Sequence, residues 1–366
     1  MADPTNAIFD WPIASNFGWG LRGLGCALNW PGVAVSAHVQ LEATLPPGDE
    51  RQTLLADRMQ RSRALQNQLM TVTETIRANE PVLVALGNNL EAQPSLGRRL
   101  RGSPHVACPV FEDIDIVRAG VERLKDYDLV VVASRWNQEV LNDLGVKAEL
   151  CHEGVDPVIF NPSVRNCQKD GKFRVFSGGK AEWRKGQDLV IEAFAEFAKS
   201  HDDVVLVASW GSPWAGLAGT FEGKWEHGSP PGLHIGKPNW HAWVQRAGVR
   251  PHQFEWVESR INWQMPDVYA NVDVAVFPNR CEGGTNFVAM EAMACGVPTF
   301  LNKAFGQDDL TDSVACWGEG LELIDQIISF LEFYYQRQGK VLPGALSSHW
   351  TWARHCEQMA EIIRNA

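Results

Sequence analysis

Val272-Asp273-Val274-Ala275-Val276-Phe277 runs into Pro278-Asn279-Arg280-Cys281-Glu282-Gly283-Gly284-Thr285-Asn286, and then into Phe287-Val288-Ala289-Met290-Glu291-Ala292-Met293-Ala294-Cys295-Gly296. The first block is brief, apolar and rich in valine, as a strand buried in a parallel sheet should be. The second is a glycine-rich loop in which Thr285 and Asn286 are good helix N-caps. The third reads as a helix over 286–295. Strand, loop and helix in this order form the repeating unit of a doubly wound α/β sheet.

The unit recurs outward from there. Strands are expected at Val82–Leu86, Leu129–Ala133, Phe173–Phe176 and Val204–Ala208, with helices over 53–78, 135–144, 187–199, 319–335 and 350–364. A chain of 366 residues is long enough for two such domains. The turn-rich segment 157–172, with Asp156-Pro157, Asn161-Pro162-Ser163 and Gln168-Lys169-Asp170-Gly171, is the natural join. This predicts a first domain over 1–160 and a second over 161–349, with 350–366 left as a terminal helix.

Composition narrows the function. A net charge of -11 disfavours nucleic acid and anionic membranes as partners, but leaves room for a local phosphate pocket. The eight cysteines form no CxxC pair and read as buried thiols in a reducing compartment. No basic, apolar leader opens the chain and no run of about 18 apolar residues occurs. A cytoplasmic protein with at most peripheral membrane contact is expected. The 15 tryptophans suit sugar stacking and core packing alike.

Two junctions carry the chemistry. Phe176-Ser177-Gly178-Gly179-Lys180-Ala181-Glu182-Trp183-Arg184-Lys185-Gly186-Gln187 follows a strand and opens a helix. Gly179 lets backbone approach a ligand, and Lys180 and Lys185 offer two charges to a diphosphate. A plain loop with solvated lysines is the competing reading. In the second junction the amides around Gly283, Gly284 and Thr285 can line an anion site at the helix start, within a ligand-facing run from Glu282 to Phe287 that includes Asn286. Glu291, in an apolar setting, needs a partner, and a ribose diol offers two hydroxyls. Glu282 can hold sugar hydroxyls.

This pattern resembles retaining glycosyltransferase family 4, whose GT-B fold sets two Rossmann-like domains across a cleft, the last helix crossing back to the first domain. Lys180 and Lys185-Gly186 match the family's basic pair on the donor diphosphate. Glu282 and Glu291 resemble its E-x7-E pair, although here eight residues separate them. Either the loop carries one extra residue, or Gly283 takes the first glutamate's place. Cys151-His152-Glu153-Gly154-Val155-Asp156 through Phe160-Asn161-Pro162 is similar to the family's inter-domain segment, with His152-Glu153 where Pro-Asn is usual. Asn16 to Gly25 resembles the first domain's glycine loop, with Gly18 and Gly20 as its close-approach positions; a helix packed through its glycines is the alternative.

The resemblance implies a nucleotide-sugar donor on the second domain, a carbohydrate, lipid-linked or other hydroxyl acceptor on the first, and no metal or other cofactor. Lys180, Lys185 and Glu282 are then the expected catalytic group. Glu112 or His105 is the candidate first-domain contact. Asp113-x-Asp115 mimics a metal-binding D-x-D but falls in the wrong domain. Arg98, Arg99 and Arg101 are read as a solvated loop rather than a headgroup site. Three rivals remain: a nucleotide-sugar epimerase of similar fold, a carbohydrate-binding protein, and a dinucleotide oxidoreductase using Gly18-x-Gly20-x-x-Gly23. The last is discounted because Phe9-Asp10-Trp11-Pro12 offers no clear preceding strand.

Overall fold

The apolar segments pair with one another in parallel throughout. The computed structural model describes residues 6–165, 170–211, 214–313, 321–337, 346 and 348–366. The first half contains β1 (Asn6–Asp10), α1 (Gly18–Asn29), β2 (Val33–Ser36), α2 (Gln52–Met70), β3 (Ile76–Arg77), β4 (Val82–Leu86), β5 (Leu100–Arg101), β6 (His105–Pro109), α3 (Ile114–Gly120), β7 (Leu129–Val132), α4 (Arg135–Asp143) and β8 (Glu149–Leu150). The second contains β9 (Phe173–Gly178), α5 (Gln187–Phe197), β10 (Val204–Ser209), α6 (Trp240–Arg246), β11 (Phe254–Trp256), α7 (Pro266–Tyr269), β12 (Val274–Phe277), α8 (Phe287–Ala294), β13 (Thr299–Leu301), α9 (Leu323–Tyr335) and α10 (Trp352–Arg364).

Two sheets result, in the orders β2-β1-β4-β6-β7-β8 and β11-β10-β9-β12-β13, with β3 and β5 paired separately. β4 and β6 are buried along their whole length, and their register runs from Val82 opposite His105 to Leu86 opposite Pro109. Alternate side chains of β9 feed opposite cores. Phe173 and Val175 pack with Phe194 and Phe330, while Phe176 packs with Tyr269 and Met290. Each half is thus a Rossmann-like layered unit, and the two face each other across a cleft.

The terminal helix crosses back. Val155 N–H donates to the Trp350 carbonyl at 3.0 Å, and Trp352 N–H to the Val155 carbonyl at 3.2 Å. Cys356, Met359, Ala360 and Ile363 then join Phe9 and Trp11 in the first core, at helical spacing. Gly25 of α1 makes this possible: a Cβ there would lie 2.3 Å from the Trp352 ring.

Several expectations need correction. A strand does precede the Gly18 run. In β1 the Ala7-Ile8-Phe9 core is closed by Asp10, whose buried carboxylate accepts from Ser95 Oγ at 2.6 Å, so an acidic residue hid a central strand. The oxidoreductase reading fails on other grounds. β2 ends at Ser36, where the fingerprint needs a carboxylate, and Gly20 and Gly23 serve close packing on Ala14 and Pro12. The helix expected to 78 stops at Met70, because Thr71, Val72, Thr73, Thr75 and Ile76 crowd five β-branched residues into six. Strand β12 begins at Val274, after Asp273 turns its carboxylate onto the Arg174 amide. Of the turn-rich join, residues 166–169 lie outside the described residues, as do 319–320 of the helix expected over 319–335. Cys26, Cys108, Cys151, Cys295 and Cys356 are buried free thiols, Cys281 is half-buried, and Cys167 and Cys316 fall outside the described residues. Among the described residues, no helix is long and apolar enough to cross a membrane.

Candidate active site

The cleft between the sheets holds a cavity of about 640 Å³, within the range of a small-molecule site. Lys180, Lys185, Glu282, Glu291, Gly18, Gly179, Gly284, Thr285, Asn286, Phe287 and Glu112 all line it. Gly20 and Gly283 do not. Gly20 turns to Ala14, and a Cβ on Gly283 would lie 2.2 Å from the Phe111 carbonyl oxygen, so these two glycines allow close packing behind the cavity wall.

The first junction is shaped by two left-handed glycines. Gly179 has φ +98° and Gly186 φ +70°, and a Cβ on Gly186 would meet the Pro278 oxygen at 2.2 Å. This bend carries Lys180 and Lys185 on either side of a short turn before α5. Lys180 Nζ sits 5.5 Å from the Trp214 ring centroid and 3.9 Å from Glu182. Lys185 Nζ bonds to Glu282, which is 4 % exposed.

Glu282 is held by three donors. Its carboxylate accepts from Lys185, from Arg184 Nη1 at 3.0 Å and from Asn279 Nδ2. Burial works against its charge, but Lys185 and Arg184 outweigh burial and hold it below the usual carboxylate range. Arg184 also reaches Glu182 at 3.1 Å and, across the cleft, Glu112 at 3.4 Å. Burial opposes this guanidinium too, and the three glutamates together keep it more firmly protonated than usual.

The second junction follows β12. Asn286 caps α8 by accepting from the Ala289 amide at 3.3 Å, and its amide group donates to Gln307 at 3.1 Å. Thr285 Oγ1 donates to Glu153 at 3.2 Å. Thr285, Asn286, Phe287 and Val288 at the start of α8 line the cavity, where a helix presents its positive end. Gly18 comes from the opposite half to within van der Waals reach of Phe287: a Cβ would sit 3.4 Å from its ring. Glu291, one turn further, accepts from Tyr269 Oη at 2.9 Å and from Asn262 Nδ2. Burial raises its carboxyl to about 8.

Other candidates are engaged elsewhere. His105 stacks on Tyr127 at 4.9 Å and stays off the cleft. His152 Nε2 meets Asp309 at 2.8 Å, bridging the halves. Asp113 caps α3 through the Asp115 and Ile116 amides, both at 3.0 Å, and Asp115 pairs with Arg118. The arginine cluster lies off the cleft, with Arg98 exposed to solvent, and each member also bonds a backbone carbonyl. Arg98 bonds the Ala92 carbonyl, Arg99 those of Leu69 and Val72, and Arg101 that of Asp126.

Arg184, Glu153, Asn262, Tyr269, Arg260 and Trp214 escaped the sequence reading. Arg184 stood beside Lys185 and was legible as a third cation. Glu153 lay in the inter-domain segment, and burial raises its carboxyl above the usual range. Nothing local marks Asn262 or Tyr269 as partners of a glutamate more than twenty residues away.

Residues 232–331, which include the second junction, match the family model described as "Glycosyl transferases group 1". No curated protein matches the chain in sequence. Among solved structures, a glycosyltransferase from Rickettsia africae ESF-5 is similar at 9 % identity, covering 99 % of this chain and 98 % of that one, with a TM-score of 0.63. Anabaena Alr3699/HepE in complex with UDP-glucose is similar at 14 % identity, covering 99 % and 100 %, with a TM-score of 0.60. WaaG, a glycosyltransferase involved in lipopolysaccharide biosynthesis, is similar at 12 % identity, covering 99 % and 100 %, with a TM-score of 0.58.

Proposed function

We propose that this chain, whose fold is GT-B, is a group 1 glycosyltransferase and that it transfers a sugar, with retention of anomeric configuration, from a nucleoside diphosphate sugar to an acceptor hydroxyl. The donor lies on the second half, taken as 161–349, and the acceptor on the first, taken as 1–160 with 350–366 packed against it. The observation that carries this reading is the meeting of Lys180, Lys185, the start of α8 and Glu291 on one wall of one cavity. The UDP and UDP-glucose complexes of Alr3699/HepE support a nucleotide-sugar donor.

In this reading Glu291 accepts hydrogen bonds from the ribose hydroxyls. Lys180 and Lys185, with the amides of Gly284 to Asn286, surround the diphosphate. When the bond between the anomeric carbon and the phosphate oxygen breaks, negative charge grows on that oxygen. Fixed cations and amides stabilise it without reorganising. The acceptor hydroxyl attacks from the face the phosphate leaves, and its proton passes to a phosphate oxygen. The products are the glycoside and the nucleoside diphosphate. Glu282 acts here by orienting Lys185 and Arg184. The closed contact of the two halves, with Asn262 N–H on the Ser15 carbonyl at 2.7 Å, limits water at the reacting carbon.

Calorimetry against UDP, GDP and ADP tests the reading, followed by hydrolysis of the glucose adduct of the tightest binder. Binding of one nucleotide in the micromolar range is expected. Failure of all three to bind overturns the proposal.

A further inference from the structure

Among the described residues, the carboxyl groups that line the cavity are Glu112, Glu153, Glu282 and Glu291. Glu112 and Glu282 are ion-paired with Arg184. Glu291 stands at the proposed ribose end. Glu153 belongs to no ion pair among the described residues, and the reading above gives it no task.

Glu153 is 7 % exposed and reaches from the first half to the start of α8. Thr285 Oγ1 donates to its Oε2 at 3.2 Å, and a Cβ on Gly284 would lie 3.1 Å from the same oxygen. The carboxyl thus touches the two residues that precede the Asn286 cap, where a helix start favours an anion. Burial works against its charge. Arg22 and His355 favour it, as do the hydroxyl and the amide of Thr285. Arg22 acts from behind the cavity wall: it is 1 % exposed, with the Trp11 and Trp19 rings at 5.0 and 5.2 Å from its guanidinium.

We propose that Glu153 sets the preference of the donor site between a nucleotide sugar and a free nucleoside diphosphate, by holding a negative charge against the terminal phosphate. The inference rests on the glycosyl-transfer reading and deepens it. A ribose at Glu291 leaves the phosphates running back along α8 towards Thr285 and Gly284, the terminal phosphate last. In a nucleotide sugar that phosphate is esterified and carries one negative charge. In the free diphosphate it gains a second above a pKa of about 6. Lys180 and Lys185 attract both ligands, while Glu153 repels the more highly charged one more. The product of transfer is thereby weakened relative to the donor that replaces it.

Calorimetry at pH 8 compares the free diphosphate with its glucose ester, for the nucleotide that binds tightest. In the unaltered protein the ester should bind at least as tightly as the diphosphate, despite its smaller charge. Glu153→Gln keeps the size of the side chain and an oxygen for Thr285. It should tighten the diphosphate about tenfold and the ester less than threefold, and the inhibition constant of the diphosphate in the transfer assay should fall with its Kd. Glu153→Asn, which restores the residue usual in the resembled inter-domain segment, should shift both ligands the same way and carries the test if the glutamine variant unfolds. A role confined to holding the loop would move the two ligands together. An equal shift for both, no shift, or weaker diphosphate binding overturns the inference. So does a diphosphate bound tenfold more tightly than the ester by the unaltered protein. Failure of the unaltered protein and both variants to bind any nucleotide overturns the function reading, and the inference with it.

Discussion

The two walls of the cleft are built from the same strand-loop-helix units and do opposite electrostatic work. The second-half wall gathers Lys180 and Lys185, backed by Arg184, around the open end of α8. The first-half wall sets Phe17, Trp19, Glu112 and Glu153 opposite. The fold supplies the same scaffold to both; the charges at the loop ends differ. This agrees with the general rule that ligands of open α/β sheets sit beyond the carboxyl ends of the strands.

The largest break in this asymmetry should come from Lys185→Ala. It removes a proposed diphosphate cation and leaves Glu282 to Arg184 and Asn279. Transfer should fall about 100-fold, the scale of losing one charge-stabilising group. Stability should fall by about 2 kcal/mol, less than the ~3–5 kcal/mol of an orphaned buried charge. Initial rates and denaturant unfolding check both.

Glu291→Ala should weaken nucleotide binding about tenfold, the ~1.4 kcal/mol at the upper end for an ordinary hydrogen bond. Calorimetry measures this directly. A smaller effect follows from the raised carboxyl of Glu291, at about 8. In the proposed function the ionised form accepts the ribose hydroxyls, so nucleotide affinity should rise about fivefold from pH 7 to pH 8 and level off above. Glu291→Gln should flatten that profile. The sign for the unliganded fold is opposite. The folded chain holds this proton more tightly than the unfolded chain, so this group's contribution to stability falls as pH rises from 4.5 to about 8.

The smallest effect belongs to Asp115→Ala. Asp115 sits in an exposed pair with Arg118, off the cleft. Transfer should change less than twofold. A loss of tenfold or more would restore a role for Asp113-x-Asp115 and undo the division between the walls.

Much of this architecture was legible in advance. Valine-rich runs at Val82–Leu86, Val204–Ala208 and Val274–Phe277 declared buried parallel strands, because no other element tolerates such brief, two-sided apolarity. The α8 cap was readable at Asn286, since capping is a local event. Strand β1 was not, because its last residue is a carboxylate whose partner, Ser95, is 85 positions away. The partner of Glu282 was equally hidden. Arg184 lies 98 positions from it, and only the docking of two loops brings them to 3.0 Å.

The amino-acid sequence by itself determined the parallel α/β class, the two glycine-rich junctions and the placing of Lys180, Lys185 and Glu291 at them. Hydrophobic period, turn residues and caps act over a few residues and can be read along the chain. Tertiary structure alone decided which glycines face the cavity, that Glu282 is locked between Lys185 and Arg184, and that Tyr269 and Asn262 hold Glu291. It also decided that the first-half wall lacks an exposed cation among the described residues. Burial and charge pairing are properties of surfaces brought together in space, and the spacing of residues along the chain does not encode them.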